Sequence, residues 1–569
     1  MNDVKKLLDD ISPTFCLAKW LYVQIHLPHG LTQSCYHPPA HKIPLDELEQ
    51  NPSALHNTKF KIAERKQMVL GKKPPGCEYC WKIEELKNSK QISDRLYRSS
   101  EHWAFENYDY VTDNEYKFNV KPAYLEVNFS HTCNQKCIYC SPHLSSSWYE
   151  EIEQFGKFNL LTEHENKIIE HGHNDITGLE QTGKLPFEVR KENKIKKKDN
   201  PYVKAFWKWL PDIYDNLHHF RMTGGEPLMH KDTFKMLNYI LENPSPNLQI
   251  GITTNLCPSN NNTFKNFIKI LKKLENPIDN NILETWKKNN YLKEITYFAK
   301  NDHKNTWHNW PRFIVENKEI IDNQIEPTLF RIDKNKITGK FNNDFINENT
   351  GDFFYKKYWI KPINNEWKCL GSVEFNKEGN QGIVDNFSAY KHLMIYVSLD
   401  SVGKQAEYIR YPLNFEQLKN NVHAILQNLN RVTVSFINTF NILSISKIES
   451  FLKFINEFRE LYDNKVLFDI PFLEYPNWLA TDIITKDFLQ YMYDAEYYIS
   501  NTNTFSNDEI EKFQRNIRYI EDKVYGSKNY NIQRKNFALY VDQLDKRRNT
   551  NFLKIFPEYK EFYNLCKVA

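Results

Sequence analysis

Apolar positions along this chain fall into short alternating runs separated by stretches of helical period. Tyr124-Leu125-Glu126-Val127-Asn128-Phe129 alternates as a strand, and Phe220-Arg221-Met222 is a second apolar run that ends in Gly224-Gly225. Further strands are expected at Leu248–Ile252, Leu393–Asp400, Val432–Ile437 and Val466–Pro471. Helical spacing predicts Tyr149–Phe155 behind a Ser145-Ser146-Ser147 cap, then Asn414–Leu429 and Ser446–Leu461. Strands alternating with helices predict right-handed βαβ units and an α/β fold around a parallel sheet. Near the end, Ser506-Asn507-Asp508-Glu509 reads as a capping box opening a helix to about Lys523, with another from Phe537 to Asp545.

The core so outlined spans 119–490 and carries two polar insertions, at about 156–210 and 258–388, both expected to be helical. Residues 491–569 form a C-terminal helical extension, in which Lys546, Arg547 and Arg548 read as surface charges. The Lys194–Lys198 run reads as a solvated face. A net charge of +3 gives no global field for nucleic acid or membrane, so neither is expected as a partner. No apolar run approaches the ~18 residues that span a bilayer, and the start lacks a signal-peptide pattern. Ten cysteines without a secretory signal imply a reducing, cytoplasmic setting and thiols that hold metal.

The chemistry concentrates directly after the first core strand. Cys133, Cys137 and Cys140 gather three thiolates from one loop, with Tyr139 just before the last. Iron–sulfur cubanes normally take four cysteines, so a loop of three leaves one iron open to a ligand. From spacing alone a zinc knuckle is the alternative. With only 17 glycines in the chain, Gly224-Gly225-Glu226-Pro227 at another strand end is conspicuous; paired glycines let backbone approach a ligand closely. The two motifs together resemble the radical S-adenosylmethionine (SAM) superfamily. The resemblance implies a partial (β/α)6 barrel of TIM type, open on one side. It also implies a [4Fe–4S] cluster on Cys133, Cys137 and Cys140 that binds SAM and cleaves it to a 5′-deoxyadenosyl radical. By the same resemblance, SAM contacts fall to Tyr139, Gly224, Gly225, Glu226, Pro227, Thr254, Asn255, Ser398, Asp400 and Arg410. A reductant such as flavodoxin or ferredoxin is implied as partner.

Residues 1–118 hold Cys16, Cys35, Cys77 and Cys80, with short helices expected at Ile43–Leu48 and Asn57–Leu70. Two single cysteines and one CxxC pair can close a four-thiolate site for zinc or iron–sulfur. The succession, with Gly30 five before Cys35, resembles the SPASM and twitch modules of radical SAM enzymes, which bind an auxiliary [4Fe–4S] cluster. Those modules usually follow the barrel; here the segment precedes it. The C-terminal end is also similar to twitch-containing proteins of the superfamily. Cys257 and Cys369 read as ordinary thiols. An auxiliary cluster implies a peptide or protein substrate, with a carbohydrate or nucleotide as the enzymatic alternative. The non-enzymatic alternative is a zinc-stabilised protein that binds peptide or RNA. No acid/base residue or hydrogen donor stands out.

Overall fold

The computed structural model describes residues 2–85, 92–113, 118–161, 168–171, 200–275, 293–300, 312–316, 329–333, 336–341, 353–363, 366–375, 381–385 and 388–569. The Lys194–Lys198 run lies outside them. In chain order the strands are β1 (Tyr22–His26), β2 (Leu31–Gln33), β3 (His41–Lys42), β4 (Tyr124–Asn128), β5 (Phe158–Leu161), β6 (Ile168–His171), β7 (His219–Thr223) and β8 (Ser245–Thr254). An insertion contributes β9 (Lys293–Lys300), β10 (Arg312–Glu316), β11 (Leu329–Asp333), β12 (Lys336–Phe341), β13 (Phe353–Ile363), β14 (Glu366–Phe375) and β15 (Gln381–Asp385). The chain returns through β16 (Tyr390–Ser398), β17 (Val432–Ile437) and β18 (Val466–Asp469).

A nine-stranded sheet orders these as β18-β17-β16-β8-β7-β4-β1-β2-β3. From β18 to β1 every pairing is parallel; β2 and β3 attach antiparallel at one edge. The sheet is open, with β18 and β3 at its edges, and it does not close into a barrel. Its long parallel stretch follows chain order, as βαβ units laid down successively require. Leu125, Val127, Phe220, Met222, Ile250, Ile395 and Phe436 supply its apolar core. Packed with them are Phe206, Ile240, Phe267, Ile425 and Ile455, from the helices Pro201–Ile213, Lys231–Glu242, Asn261–Glu275, Phe415–Asn428 and Ile448–Tyr462. Strand alternation turns Glu126 and Asn128 away from that core.

The N-terminal segment joins this sheet through β1, beside β4, and through β2 and β3. Its own smaller core gathers Leu8, Phe15, Trp20, Met68, Trp81 and Trp103. The short helices expected there form at Leu45–Gln50 and Lys59–Val69.

Each insertion carries one of the expected helices, and among the described residues the other elements of both are strands. After the helix Asn261–Glu275, the long one continues as strands of a separate, antiparallel seven-stranded sheet. Its segments, such as FFYKKYWIKPI and EWKCLGSVEF, are rich in aromatic and β-branched residues that favour strands. Cys369 falls in β14. The segment leaves and re-enters the core at one point: Ala389 N–H donates to Leu274 O at 2.8 Å, and Ser388 Oγ lies 3.4 Å from the same carbonyl. The shorter insertion contributes the β5–β6 hairpin and the helix Pro201–Ile213.

At the C-terminal end the capping box forms at Ser506 with Glu509 and opens Asn507–Val524. The following helix runs Asn531–Arg548, longer than expected. Arg548 is buried, not a surface charge: it pairs with Glu151 at 3.4 Å and lies over Trp148, while Arg547 sits 3.7 Å from the Phe158 ring centroid. Among the described residues no helix is long and apolar enough to cross a membrane.

Candidate active site

The cysteine loop leaves the C-terminal end of β4, the end of a parallel sheet where polar site residues collect. A set of short-range contacts from elsewhere in the chain fixes its backbone. Ser147 Oγ donates to Cys133 O at 2.7 Å, Ser145 Oγ to Gln135 O at 2.8 Å, and Cys133 N–H to Ser146 Oγ at 3.1 Å. The serine run read as a helix cap therefore also ties the loop; Ser145 caps Ser146–Phe155 as expected. Trp148 Nε1 donates to Cys137 O at 2.9 Å and Tyr540 OH to Ile138 O at 2.5 Å. Ile138 N–H reaches Ile409 O, and Lys136 N–H reaches Tyr411 O.

The Gly-Gly segment follows β7, the parallel neighbour of β4, so both motifs emerge at the same end of the sheet. Gly225 N–H donates to Ser130 O at 3.1 Å and Glu226 N–H to Thr132 O at 2.7 Å. A Cβ on Gly225 would stand 2.3 Å from Thr132 O; on Gly224, whose φ is +122°, it would stand 2.3 Å from Asn128 Oδ1. These glycines are needed for contact with the cysteine loop itself. Glu226 is buried, and its carboxylate accepts from Thr254 Oγ1 and Asn255 N–H, both at 2.6 Å, and from Leu228 N–H at 3.0 Å. Burial outweighs those three donors and pushes its carboxyl up to about 7. Asn255 Nδ2 continues to Asn134 Oδ1 at 2.9 Å, and Asn134 Nδ2 to Cys257 O at 2.7 Å. Pro227 opens a short 3-10 turn behind Glu226.

From β16, Asp400 meets Arg410 in a fork, with Oδ2 2.8 Å from Nε and Oδ1 3.0 Å from Nη2. Tyr139 OH donates to Asp400 Oδ2 at 2.9 Å and also contacts Arg410 Nη2; Thr439 N–H donates to Asp400 Oδ1 at 2.8 Å. Arg410 Nη1 reaches Cys137 Sγ at 3.5 Å. Asp400 and Arg410 are buried, and Ser398 ends β16 half-buried. The expected site residues thus assemble at neighbouring strand ends. Glu226, Thr254, Asp400 and Arg410 bind first to one another.

The sulfurs of the triad are buried enough that desolvation raises each thiol, Cys133 to about 12, and the charge of one raises the next. Buried donors flank them: Gln135 Nε2 and Ser141 Oγ have no hydrogen-bond partner among the described residues. Three thiols, two such donors and a guanidinium against Cys137 fit an anionic, sulfur-bearing group. The N-terminal four behave similarly. Cys16, Cys35, Cys77 and Cys80 line one small space, their thiols are raised by burial, and Lys19 Nζ lies 3.9 Å from Cys77 Sγ. Among the described residues no three cysteine sulfurs lie within 4.8 Å of one another. The compact His/Glu group that does, His102, Glu106 and His218, sits before β7, at the opposite end of the sheet.

Sequence reasoning missed a polar row across the sheet. Glu126 on β4 stands in register with Arg221 on β7, 3.6 Å away; Arg221 also bonds Thr253 Oγ1 and lies 4.2 Å from the Tyr396 ring centroid. The signal was present: opposite charges each interrupt an apolar strand two residues before its end. No protein-family model, curated protein or solved structure matches this chain.

Proposed function

We propose that this protein is a radical SAM enzyme with an auxiliary iron–sulfur site, acting on a peptide or protein. The observation that carries the proposal is the backbone pairing of two motifs distant in sequence. Gly225 and Glu226 donate to Ser130 and Thr132, so the three-cysteine loop and the Gly-Gly-Glu-Pro segment form one floor at the C-terminal ends of β4 and β7. The chain-ordered parallel sheet supports a partial, open (β/α)6-type arrangement around that floor.

Cys133, Cys137 and Cys140 would hold the first [4Fe–4S] cluster, and Cys16, Cys35, Cys77 and Cys80 the second. A cluster on the triad would supply the electron for reductive cleavage of SAM. The chain's own residues do the positioning. Arg410, fixed by Asp400 and Tyr139, sets a positive charge against Cys137 and so stabilises its thiolate. Glu226 locks the Gly-Gly turn to Thr254 and Asn255, and the backbone of that turn would take the SAM amino group. A flavodoxin- or ferredoxin-type reductant is the expected electron source.

Anaerobic reconstitution followed by SAM and dithionite tests the reading, with 5′-deoxyadenosine quantified by mass spectrometry. Wild type should produce it, and a Cys133→Ala/Cys137→Ala/Cys140→Ala variant should not. Wild type loaded with iron and sulfide yet making none overturns it.

A further inference from the structure

A cavity of about 680 Å³ adjoins the space lined by the four N-terminal cysteines. It shares Lys19, Ser34 and Pro38 with the space lined by the four N-terminal cysteines. His29 also lines it, and its Nε2 is 3.0 Å from His143 O, three residues beyond Cys140. The volume is that of a ligand site. Its floor carries two buried lysines with different company. Lys19 is paired with Glu64 at 2.5 Å. Lys61 is 1% exposed, and its ammonium donates to Thr32 Oγ1 at 2.8 Å. Among the described residues no carboxylate stands within ion-pair distance of Lys61; Arg65 and Lys19 lie close enough to repel its charge, and Glu64, already paired with Lys19, close enough to attract it from further off. An ammonium can donate three hydrogen bonds; burial with a single neutral acceptor pushes Lys61 toward the neutral amine, and an anion arriving beside it would restore the charge. The rim is apolar, formed by Pro38, Pro39 and Phe60.

We propose that this cavity binds an oxyanion, a carboxylate or a phosphate, with Lys61 as its counter-charge and an apolar group against Phe60. As an anion site it stands on the cavity and the lysine. As the substrate's site it rests on the radical-enzyme reading, in which the four N-terminal cysteines next to it would hold a metal centre. A carboxylate there would come from an acidic group of the substrate, and a phosphate from a phosphorylated one.

Calorimetry on the full, cluster-reconstituted chain with succinate and with inorganic phosphate tests it, with uncharged succinamide as control. One of the two anions should bind saturably, and the tighter one names the source. Lys61→Met should weaken it about tenfold or more, the loss of one charge-assisted hydrogen bond. Phe60→Glu, at a position 54% exposed where folding is not at stake, should weaken it similarly by placing a carboxylate at the mouth. The Cys133→Ala/Cys137→Ala/Cys140→Ala variant should bind the anion like wild type. Anion binding in a protein that makes no 5′-deoxyadenosine removes the radical reading and leaves this site standing. Absence of saturable binding, equal binding of succinamide, or unchanged affinity in both Lys61→Met and Phe60→Glu overturns the inference.

Discussion

Replacing Gly225 by alanine should disable the cysteine loop without touching a cysteine. The added Cβ would fall 2.3 Å from Thr132 O and 2.7 Å from His131 O, whereas carbon and carbonyl oxygen normally stay about 3.3 Å apart. Relief therefore needs about 1 Å of movement, and because both obstacles are backbone, no rotamer change supplies it. Moving the segments apart breaks Gly225 N–H to Ser130 O and Glu226 N–H to Thr132 O, each worth about 1 kcal/mol net. Overpacking adds about 1–3 kcal/mol, so the expected loss is about 3–5 kcal/mol. The assay pairs urea denaturation with iron and sulfide counting after anaerobic reconstitution. Ile455→Ala, fully buried on the helix Ile448–Tyr462, serves as control, since its cavity should cost a similar ~2–5 kcal/mol far from the loop. Gly225→Ala should lose the triad's share of iron, and Ile455→Ala should keep it. Misplacement of about 1 Å at a reacting centre lowers rates about 100-fold, the expected fall in 5′-deoxyadenosine formation by any Gly225→Ala that does load. A Gly225→Ala protein with wild-type stability and iron content would refute the argument that the two segments form one floor.

Asp400→Asn leaves Arg410 as a buried, unpaired cation and should cost about 3–5 kcal/mol in urea melts; a loss under about 1 kcal/mol removes the fork from the argument. Glu226 binds its proton more tightly folded (about 7) than unfolded (4.5), so stability should fall as pH rises between those values, by up to about 3 kcal/mol. Glu226→Gln should flatten that slope, and parallel melting profiles for the two proteins from pH 5 to pH 8 would contradict it. Serine at Cys16, Cys35, Cys77 and Cys80 together should remove about four irons and leave the triad's cluster; unchanged iron content would show that those thiols hold none.

The strands and helices of the core were readable because each carries its own period. Val432–Ile437 emerges with the expected bounds, and the capping box at Ser506 forms as the sequence suggests. What pairs distant segments was not readable. Tyr22–His26 resembles any short apolar run near cysteines, and only its pairing with β4 makes it part of the main sheet. Likewise Arg410 could be recognised as an arginine downstream of a strand, but its fork on Asp400 depends on the turn between them. Lys546, Arg547 and Arg548 look alike in sequence, yet only Arg548 is buried, because the helix Asn531–Arg548 turns it onto Trp148 and Glu151.

The neck at Leu274, Ser388 and Ala389 ties together the two flanks of the interval 276–387, which is a cassette in the sequence. Ala389 O also accepts from Ser245 N–H at 2.9 Å, so the clasp that closes the neck is the same one that starts the pairing of β8 with β16. Whatever the cassette's length, those two strands meet in the same register, and the entropy of closing the loop grows only with the logarithm of its length. Selection can therefore enlarge, shrink or exchange that interval while the register of β8 on β16 is kept.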